Sequence, residues 1–148
     1  MTYLFVFLFS ASFIVSCDDD DDKGFPSVAG SWDGDKTELV ITVDGFPTPI
    51  NETDNSFSGE VEFRKDGTAV YTEDGEEKTG TWAQNNDKLL LSIPDDSEEL
   101  DMSGTYLIKE INASRLKIFI EKEASFDDPE SGMTFDATIK ATLYFDRD

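Results

Sequence analysis

Apolar and polar residues alternate at short intervals along most of the chain after Trp32. The clearest stretch is residues 134–145, where every second side chain is apolar. Successive side chains of a β-strand point to opposite faces, so this period of two predicts strands with one buried face. The pattern therefore predicts an all-β domain. Eight strands are predicted, at residues 31–43, 58–64, 68–73, 77–83, 88–93, 105–110, 115–123 and 134–145.

The connections between the predicted strands fall into two length classes. In an up-and-down arrangement, successive connections lie at alternate ends, so the long ones would surround a mouth and the short ones would close a floor. This division predicts an eight-stranded antiparallel up-and-down β-barrel, with a two-sheet β-sandwich as the alternative. The long connections are residues 44–57, 94–104 and 124–133, and a short turn at residues 74–76 lies at the same end of the barrel. The short connections at the other end are residues 65–67, 84–87 and 111–114.

Large apolar side chains on the inward faces of these strands would line the barrel lumen. Eight strands leave room either for one small ligand or for a core filled by side chains, and both cases produce the same alternation. The residues expected at the lumen are Leu39, Ile41, Val61, Phe63, Leu91, Ile118, Ile139 and Leu143.

Residues 3–16 form an uncharged apolar stretch at the start of the chain. The stretch is short for a membrane-spanning helix and typical of a secretion signal. It ends in Ile14-Val15-Ser16-Cys17, which resembles the lipobox of bacterial lipoproteins. The resemblance implies cleavage before Cys17 and attachment of a lipid such as palmitate to that residue. An ordinary signal peptide beside an incidental free thiol is the alternative.

A run of Asp at residues 18–22 follows Cys17 directly. The run resembles the export signal that sends lipoproteins to the outer face of the outer membrane in one large group of Gram-negative bacteria. Self-repulsion would also make it an extended, solvated tether. The predicted regions are a signal peptide at 1–16, a lipidated Cys and acidic tether at 17–28, and a barrel domain at 29–148. The expected location is the outer membrane, lipid-anchored and surface-exposed.

Four short motifs lie at positions that fit the predicted barrel. They are Gly30-Ser31-Trp32, the hairpin sequence at residues 63–68, Gly80-Thr81-Trp82, and the stretch at 106–118. Together they resemble the lipocalin-like domains of bacterial lipoproteins over residues 29–145. The resemblance implies the barrel fold and a basic residue packed on Trp32, for which Arg147 and Arg115 are both candidates. It says little about a ligand.

Composition excludes several kinds of chemistry. The chain has 148 residues, with 33 Asp and Glu, 12 Lys and Arg, no His and one Cys. Without His there is no Ser-His-Asp or Cys-His nucleophile pair and no His-ligated zinc, and one Cys forms no internal disulfide. No carboxylate pair stands apart from the many acids, so an enzyme is not expected. The net charge of −21 opposes nucleic-acid binding and favours cations or basic proteins as partners.

The loops assigned to the mouth are rich in carboxylates. An acidic rim focuses an electric field on cations and could gather oxygens around a weak calcium site. No other cofactor is expected. A role in solubility alone is the competing interpretation. The acidic rim residues are Asp95, Asp96, Glu98, Glu99, Asp101, Asp127, Asp128 and Glu130.

Two functions fit these features. The first is a monomeric, lipid-anchored binding protein for a small, partly apolar or cationic ligand, with its acidic mouth facing away from the membrane. The second is a protein-interaction module or inhibitor that binds a basic partner through the acidic loops. Binding through the rim should weaken as salt rises, because exposed charges are screened, whereas binding in an apolar lumen should respond little.

Overall fold

The computed structural model describes residues 24–94 and 102–147, which contain nine β-strands. Within these ranges, no helix is long and apolar enough to cross a membrane. The strands are β1 (Gly30–Val43), β2 (Ile50–Asp54), β3 (Glu60–Phe63), β4 (Thr68–Glu73), β5 (Glu76–Asn85), β6 (Lys88–Ser92), β7 (Gly104–Ile111), β8 (Arg115–Asp128) and β9 (Met133–Asp146).

The strands form one antiparallel sheet that closes on itself. The order is β2-β1-β3-β4-β5-β6-β7-β8-β9, and β1 also pairs with β9. β2 and β3 pair with successive parts of β1, on the edge opposite β9, and so count as one interrupted strand. The result is a closed eight-stranded antiparallel barrel in meander order, which confirms the predicted fold class. A two-sheet sandwich is not formed.

The interruption between β2 and β3 brings an aromatic ring into the core. The amide of Gly34 donates to the carbonyl of Gly59 (2.8 Å), and Phe57 packs edge-on against Phe145 with ring centroids 5.6 Å apart. A Cβ atom on Gly34 would stand 2.6 Å from the Phe57 ring, and one on Gly59 would clash with the Tyr71 ring. Both positions therefore require glycine for close packing.

The prediction of long loops at the mouth is partly wrong for two of the three segments. Residues 124–133 were expected as a loop but mostly belong to β8 and β9, which stay paired as far as Asp128↔Met133. Residues 44–57, also expected as a loop, contain β2, paired with β1 through Ile41↔Ile50. Alternation reports the burial of one face, whereas β2 is exposed throughout. These segments are strands because their backbones pair with neighbouring strands, and such pairing leaves no pattern of apolar and polar side chains in the sequence.

The barrel wall is uneven in height. β7 pairs with β8 only as far as Phe119, whereas β8 continues to Asp128 against β9. The continuation of β8 is joined through β9 and β1 to β2, which lies at the end of the strand order. We call this four-stranded part the upper wall. It comprises residues 37–43, 50–54, 120–128 and 133–143.

The floor of the barrel is sealed around Trp32. The Trp32 side chain is fully buried and its indole N–H donates to the carbonyl of Val28 (2.7 Å). The guanidinium of Arg147 lies 3.6 Å from the Trp32 ring centroid and donates to the carbonyls of Ser31 and Ala29. Of the two basic candidates, Arg147 occupies this position, while Arg115 is exposed.

The short hairpins close the same end. The predicted turn at residues 65–67 is confirmed: Asp66 accepts the amide of Thr68 (2.9 Å), and Gly67 has a φ of 87°, which glycine adopts without strain. Hydrogen bonding by the Thr68 backbone amide lowers the pKa of Asp66.

The segment before β1 is held against the floor. Gln84 accepts the amide of Val28 (2.9 Å) and donates to the carbonyl of Pro26 (2.8 Å). Val28 is fully buried and belongs to the core. Contacts with the barrel therefore extend back into residues that sequence analysis assigned to the tether, and the chain reaches the barrel from its floor side.

Candidate functional site

Among residues 24–94 and 102–147, side chains fill the lumen near the floor and leave a cavity towards the mouth. The filled part is a continuous cluster that includes Trp32, Phe63, Leu89, Leu116 and Phe145, all buried. Towards the mouth lies a cavity of about 560 Å³. This volume falls in the range of small-molecule sites, about 300–1,000 Å³.

The cavity wall is mainly apolar. The upper wall supplies its inward-facing residues on one side, and the ends of β4, β6 and β7 supply the other. Because strand side chains alternate, only every second residue of each strand reaches the cavity. The apolar and aromatic lining residues are Leu39, Phe57, Tyr71, Ile93, Met102, Tyr106, Ile120, Ile139, Ala141 and Leu143.

Charged side chains lie around this apolar surface. Glu52 and Asp54 of β2 and Glu73 of β4 bring carboxylates, and Lys78 and Lys122 bring ammonium groups. The ammonium group of Lys122 donates to the carbonyl of Ser103 (2.6 Å). The cavity thus combines an apolar interior with both signs of charge, an arrangement suited to an amphiphilic molecule.

Asp54 is held in its charged form. Its carboxylate accepts hydrogen bonds from the hydroxyl (2.6 Å) and the amide (2.8 Å) of Ser56. These two bonds lower the pKa of Asp54 below its ordinary value. Asp54 therefore presents a negative charge at neutral pH.

Two buried tyrosines add neutral polar groups to the cavity. Burial and a hydrogen bond to Glu73 raise the pKa of Tyr71, so its phenol stays protonated. The hydroxyl of Tyr106 donates to the carbonyl of Met102 (2.8 Å). Both hydroxyls are engaged within the protein, and the rings present apolar faces to the cavity.

The eight residues expected at the lumen are divided by the structure. Leu39, Ile139 and Leu143 line the cavity, and Leu143 also belongs to the filled cluster. Ile41 is half-buried on the same face of β1 and outside the cavity lining. The remaining four lie in the filled cluster: Val61, Phe63, Leu91 and Ile118. Alternation identifies the inward face of a strand but not the height at which the core ends.

Several cavity residues were not expected at the lumen. Phe57 and Met102 lie in segments expected as mouth loops, residues 44–57 and 94–104, and their apolar character in such loops is the available signal. Tyr71 and Tyr106 lie within predicted strands, at residues 68–73 and 105–110, and also line the cavity. No periodicity distinguishes them from residues of the filled core.

The acidic rim is described only in part. Asp95, Asp96, Glu98, Glu99 and Asp101 lie outside the described residues. Asp127 accepts the hydroxyl of Thr134 (2.7 Å), and Asp128 accepts that of Ser131 (2.6 Å) and the amide of Glu130 (2.9 Å). The two hydrogen bonds to Asp128 lower its pKa, and the bond from the Ser131 hydroxyl is the main cause.

No metal site is seen in residues 24–94 and 102–147, since no three Asp, Glu, Cys or His side chains there are grouped suitably. Asp127 and Asp128 instead serve the β8–β9 turn and its neighbouring residues. The weak calcium site expected from both acidic loops therefore stays a prediction.

No protein-family model matches the chain, and no curated protein matches it either. The barrel and its cavity are accordingly the observations from which a function is inferred.

Proposed function

We propose that this chain is a lipocalin-like binding protein that holds a small, partly apolar ligand in the cavity at the barrel mouth. The observation that carries the proposal is the cavity of about 560 Å³, walled mainly by apolar side chains and lying above a filled core. Burying a ligand's apolar surface there is favourable by roughly 25 cal/mol per Å² before the costs of association. No catalytic role is proposed.

The ligand is proposed to be an amphiphile with a charged end. Glu52, Asp54 and Glu73 would attract a cationic group, and Lys78 and Lys122 lie at the same cavity. The apolar part would contact residues such as Leu39 and Ile139.

We further propose that the protein is a lipid-anchored monomer at the outer membrane, exposed at the cell surface. Two features support an orientation with the mouth away from the membrane: the lipobox-like sequence at Cys17, and the contact of Pro26 and Val28 with the barrel floor. The mature protein extracted from its native membrane should begin at Cys17 and carry the mass of a lipid there. An unmodified Cys17, or a different first residue, would contradict the anchor.

Native mass spectrometry tests ligand binding directly. Residues 23–148 are purified without detergent from a lipid-rich lysate, and the native mass is compared with the denatured mass. We expect a discrete adduct that denaturation removes. A bare polypeptide, still bare after exposure to fatty acids and alkylammonium compounds, would overturn the proposal of a cavity ligand and favour a basic protein as the partner.

A pair of variants on β9 locates the binding site. Ala141→Trp places a large ring in the cavity, whereas Thr138→Trp places the same ring on the outer face of the strand. We expect Ala141→Trp to lose the adduct and Thr138→Trp to keep it, with unchanged far-ultraviolet circular dichroism in both. An adduct that survives in both variants would place binding elsewhere.

A further inference from the structure

A second surface lies above the cavity, on the inner face of the upper wall. The faces are fixed by register: Phe126 of β8 is opposite Phe135 of β9, and both share the parity of residues that line the cavity. Ile50 of β2 shares a face with Glu52, which also lines the cavity. Phe46, beyond the end of β1, packs edge-on against Phe135 at 5.9 Å. We call Phe46, Ile50, Phe126, Met133 and Phe135 the apolar shelf.

The apolar shelf is unusually exposed. Among the described residues, six large hydrophobic side chains are exposed, and four of them lie here. Their exposed fractions are 57% for Phe46, 50% for Ile50, 48% for Phe126 and 60% for Met133. Single exposed apolar side chains need no explanation, but a cluster on one face marks an interaction site.

Carboxylates border the apolar shelf. Glu52 and Asp54 lie on the same face of β2, Asp44 follows β1, and Asp128 and Glu130 are at the β8–β9 turn. A second copy of this chain would bring carboxylates against carboxylates, and an anionic lipid surface would also be repelled. The charge pattern therefore selects a cationic occupant.

We propose that the apolar shelf binds a cationic amphipathic segment of a peptide or protein. Apolar side chains of that segment lie on the shelf, and its Lys or Arg side chains face the bordering carboxylates. This recognition mode needs one apolar stripe and flanking positive charge, as an amphipathic helix provides. The five shelf residues lie outside the cavity lining, whereas the bordering Glu52 and Asp54 belong to both surfaces.

The probe is an 18-residue synthetic peptide of Leu and Lys whose apolar residues follow a helical period, roughly 3.6 residues per turn. A scrambled peptide of the same composition is the control for charge alone. We expect the amphipathic peptide to bind residues 23–148 at least tenfold more tightly than the scrambled one in isothermal titration calorimetry. Equal affinities, or no binding of either peptide, would overturn the proposal.

Paired variants test the position of the peptide. The double variant Phe126→Ser, Met133→Ser should weaken peptide binding at least tenfold. Leu90→Ser should not, because Leu90 is an exposed apolar residue outside the shelf. Asp44→Asn should weaken binding, unlike Glu121→Gln, which alters a carboxylate paired with Lys140 rather than one that borders the shelf. Unchanged affinity in the shelf variants would overturn the proposal.

Two further results separate this proposal from other occupants and from the cavity. Sedimentation should give a monomer; a dimer that dissociates in the Phe126→Ser, Met133→Ser variant would assign the shelf to a second copy and overturn the proposal. The same variant should keep the denaturation-labile adduct of the cavity. If the peptide binds but no adduct is found, only the proposal of a cavity ligand is contradicted. If an adduct is found but the peptide does not bind, only the proposal for the shelf is contradicted.

Discussion

Replacement of Arg147 by Ala tests how the barrel floor is sealed. The side chain makes three contacts: its guanidinium lies 3.6 Å from the Trp32 ring centroid, and it donates to the carbonyls of Ala29 and Ser31, both at 3.1 Å. The backbone amide of Arg147, which donates to Ser114, is kept in the variant. The substitution therefore removes the side-chain seal and leaves the strand end in place.

The magnitude follows from these contacts. A cation over an indole ring contributes about 0.5–2 kcal/mol, and a hydrogen bond contributes about 0.5–1.5 kcal/mol net. The three contacts hold one side chain in one position, so their contributions overlap. We expect Arg147→Ala to lower the free energy of unfolding by about 2 kcal/mol, equivalent to roughly 5–10 °C in Tm for a domain of this size.

Urea unfolding followed by far-ultraviolet circular dichroism measures the loss. Tryptophan fluorescence is unsuitable alone, because removal of the cation changes the emission of Trp32 itself. Arg147→Lys keeps the charge but not the planar fork of donors, and should lose about half as much. Arg115→Ala is the matched control, since this other basic residue of the floor is exposed. If Arg147→Ala and Arg115→Ala were equally stable, the proposed seal would be wrong.

Three other changes are expected to have measurable effects. Gly59→Ala should lower the free energy of unfolding by about 1–3 kcal/mol, because its Cβ meets the Tyr71 ring; exposed Ser58→Ala should not, and equal urea midpoints would refute this. The pKa of Tyr71 is raised in the folded protein. The contribution of its neutral phenol to folding stability is therefore fully present below the ordinary pKa of 10.0 and is lost as the pH rises above that value. Stability measured through that range should fall less steeply in Tyr71→Phe, and parallel curves would contradict this. Hydrogen bonds from Lys36 and Tyr144 lower the pKa of Glu38, so its contribution is present above the ordinary value of 4.5 and lost on acidification. Glu38→Gln should therefore lose less stability than the natural chain at low pH, and an equal loss would refute the assignment.

Strands with one buried face were predictable from the sequence. Residues 134–145 were expected as a strand, and β9 spans Met133–Asp146. The Asp66-Gly67 hairpin was predictable because its turn demands those residue types. In both cases, local chemistry and the final fold require the same residues.

β2 was not predictable in this way. All five of its residues are exposed, so no alternation between buried and exposed positions is imposed on Ile50–Asp54. Its strand conformation depends on pairing with β1, a contact between segments that no local pattern reports. Phe57 likewise ends a segment expected as a loop, residues 44–57, although the interruption of the barrel turns its ring into the core.

The sequence predicts which side chains face the lumen but not how far the filled core extends along the barrel axis. Leu39 and Phe63 have the same inward orientation in the pattern, yet Leu39 lines the cavity and Phe63 lies in the filled core. Whether an inward position is filled depends on the sizes of side chains from opposite strands. That information lies in the tertiary packing.

The pairing of β1 with β9 also affects how the chain folds. This seam joins segments that are far apart in sequence, such as Glu38 and Tyr144, which are 106 positions apart. Contacts of such long range form slowly, and until they form, β1 and β9 are open edges on which another chain can pair. The net charge of −21 makes partly folded chains repel one another during that interval. We therefore expect the acidity of the chain to limit aggregation most strongly before the barrel has closed.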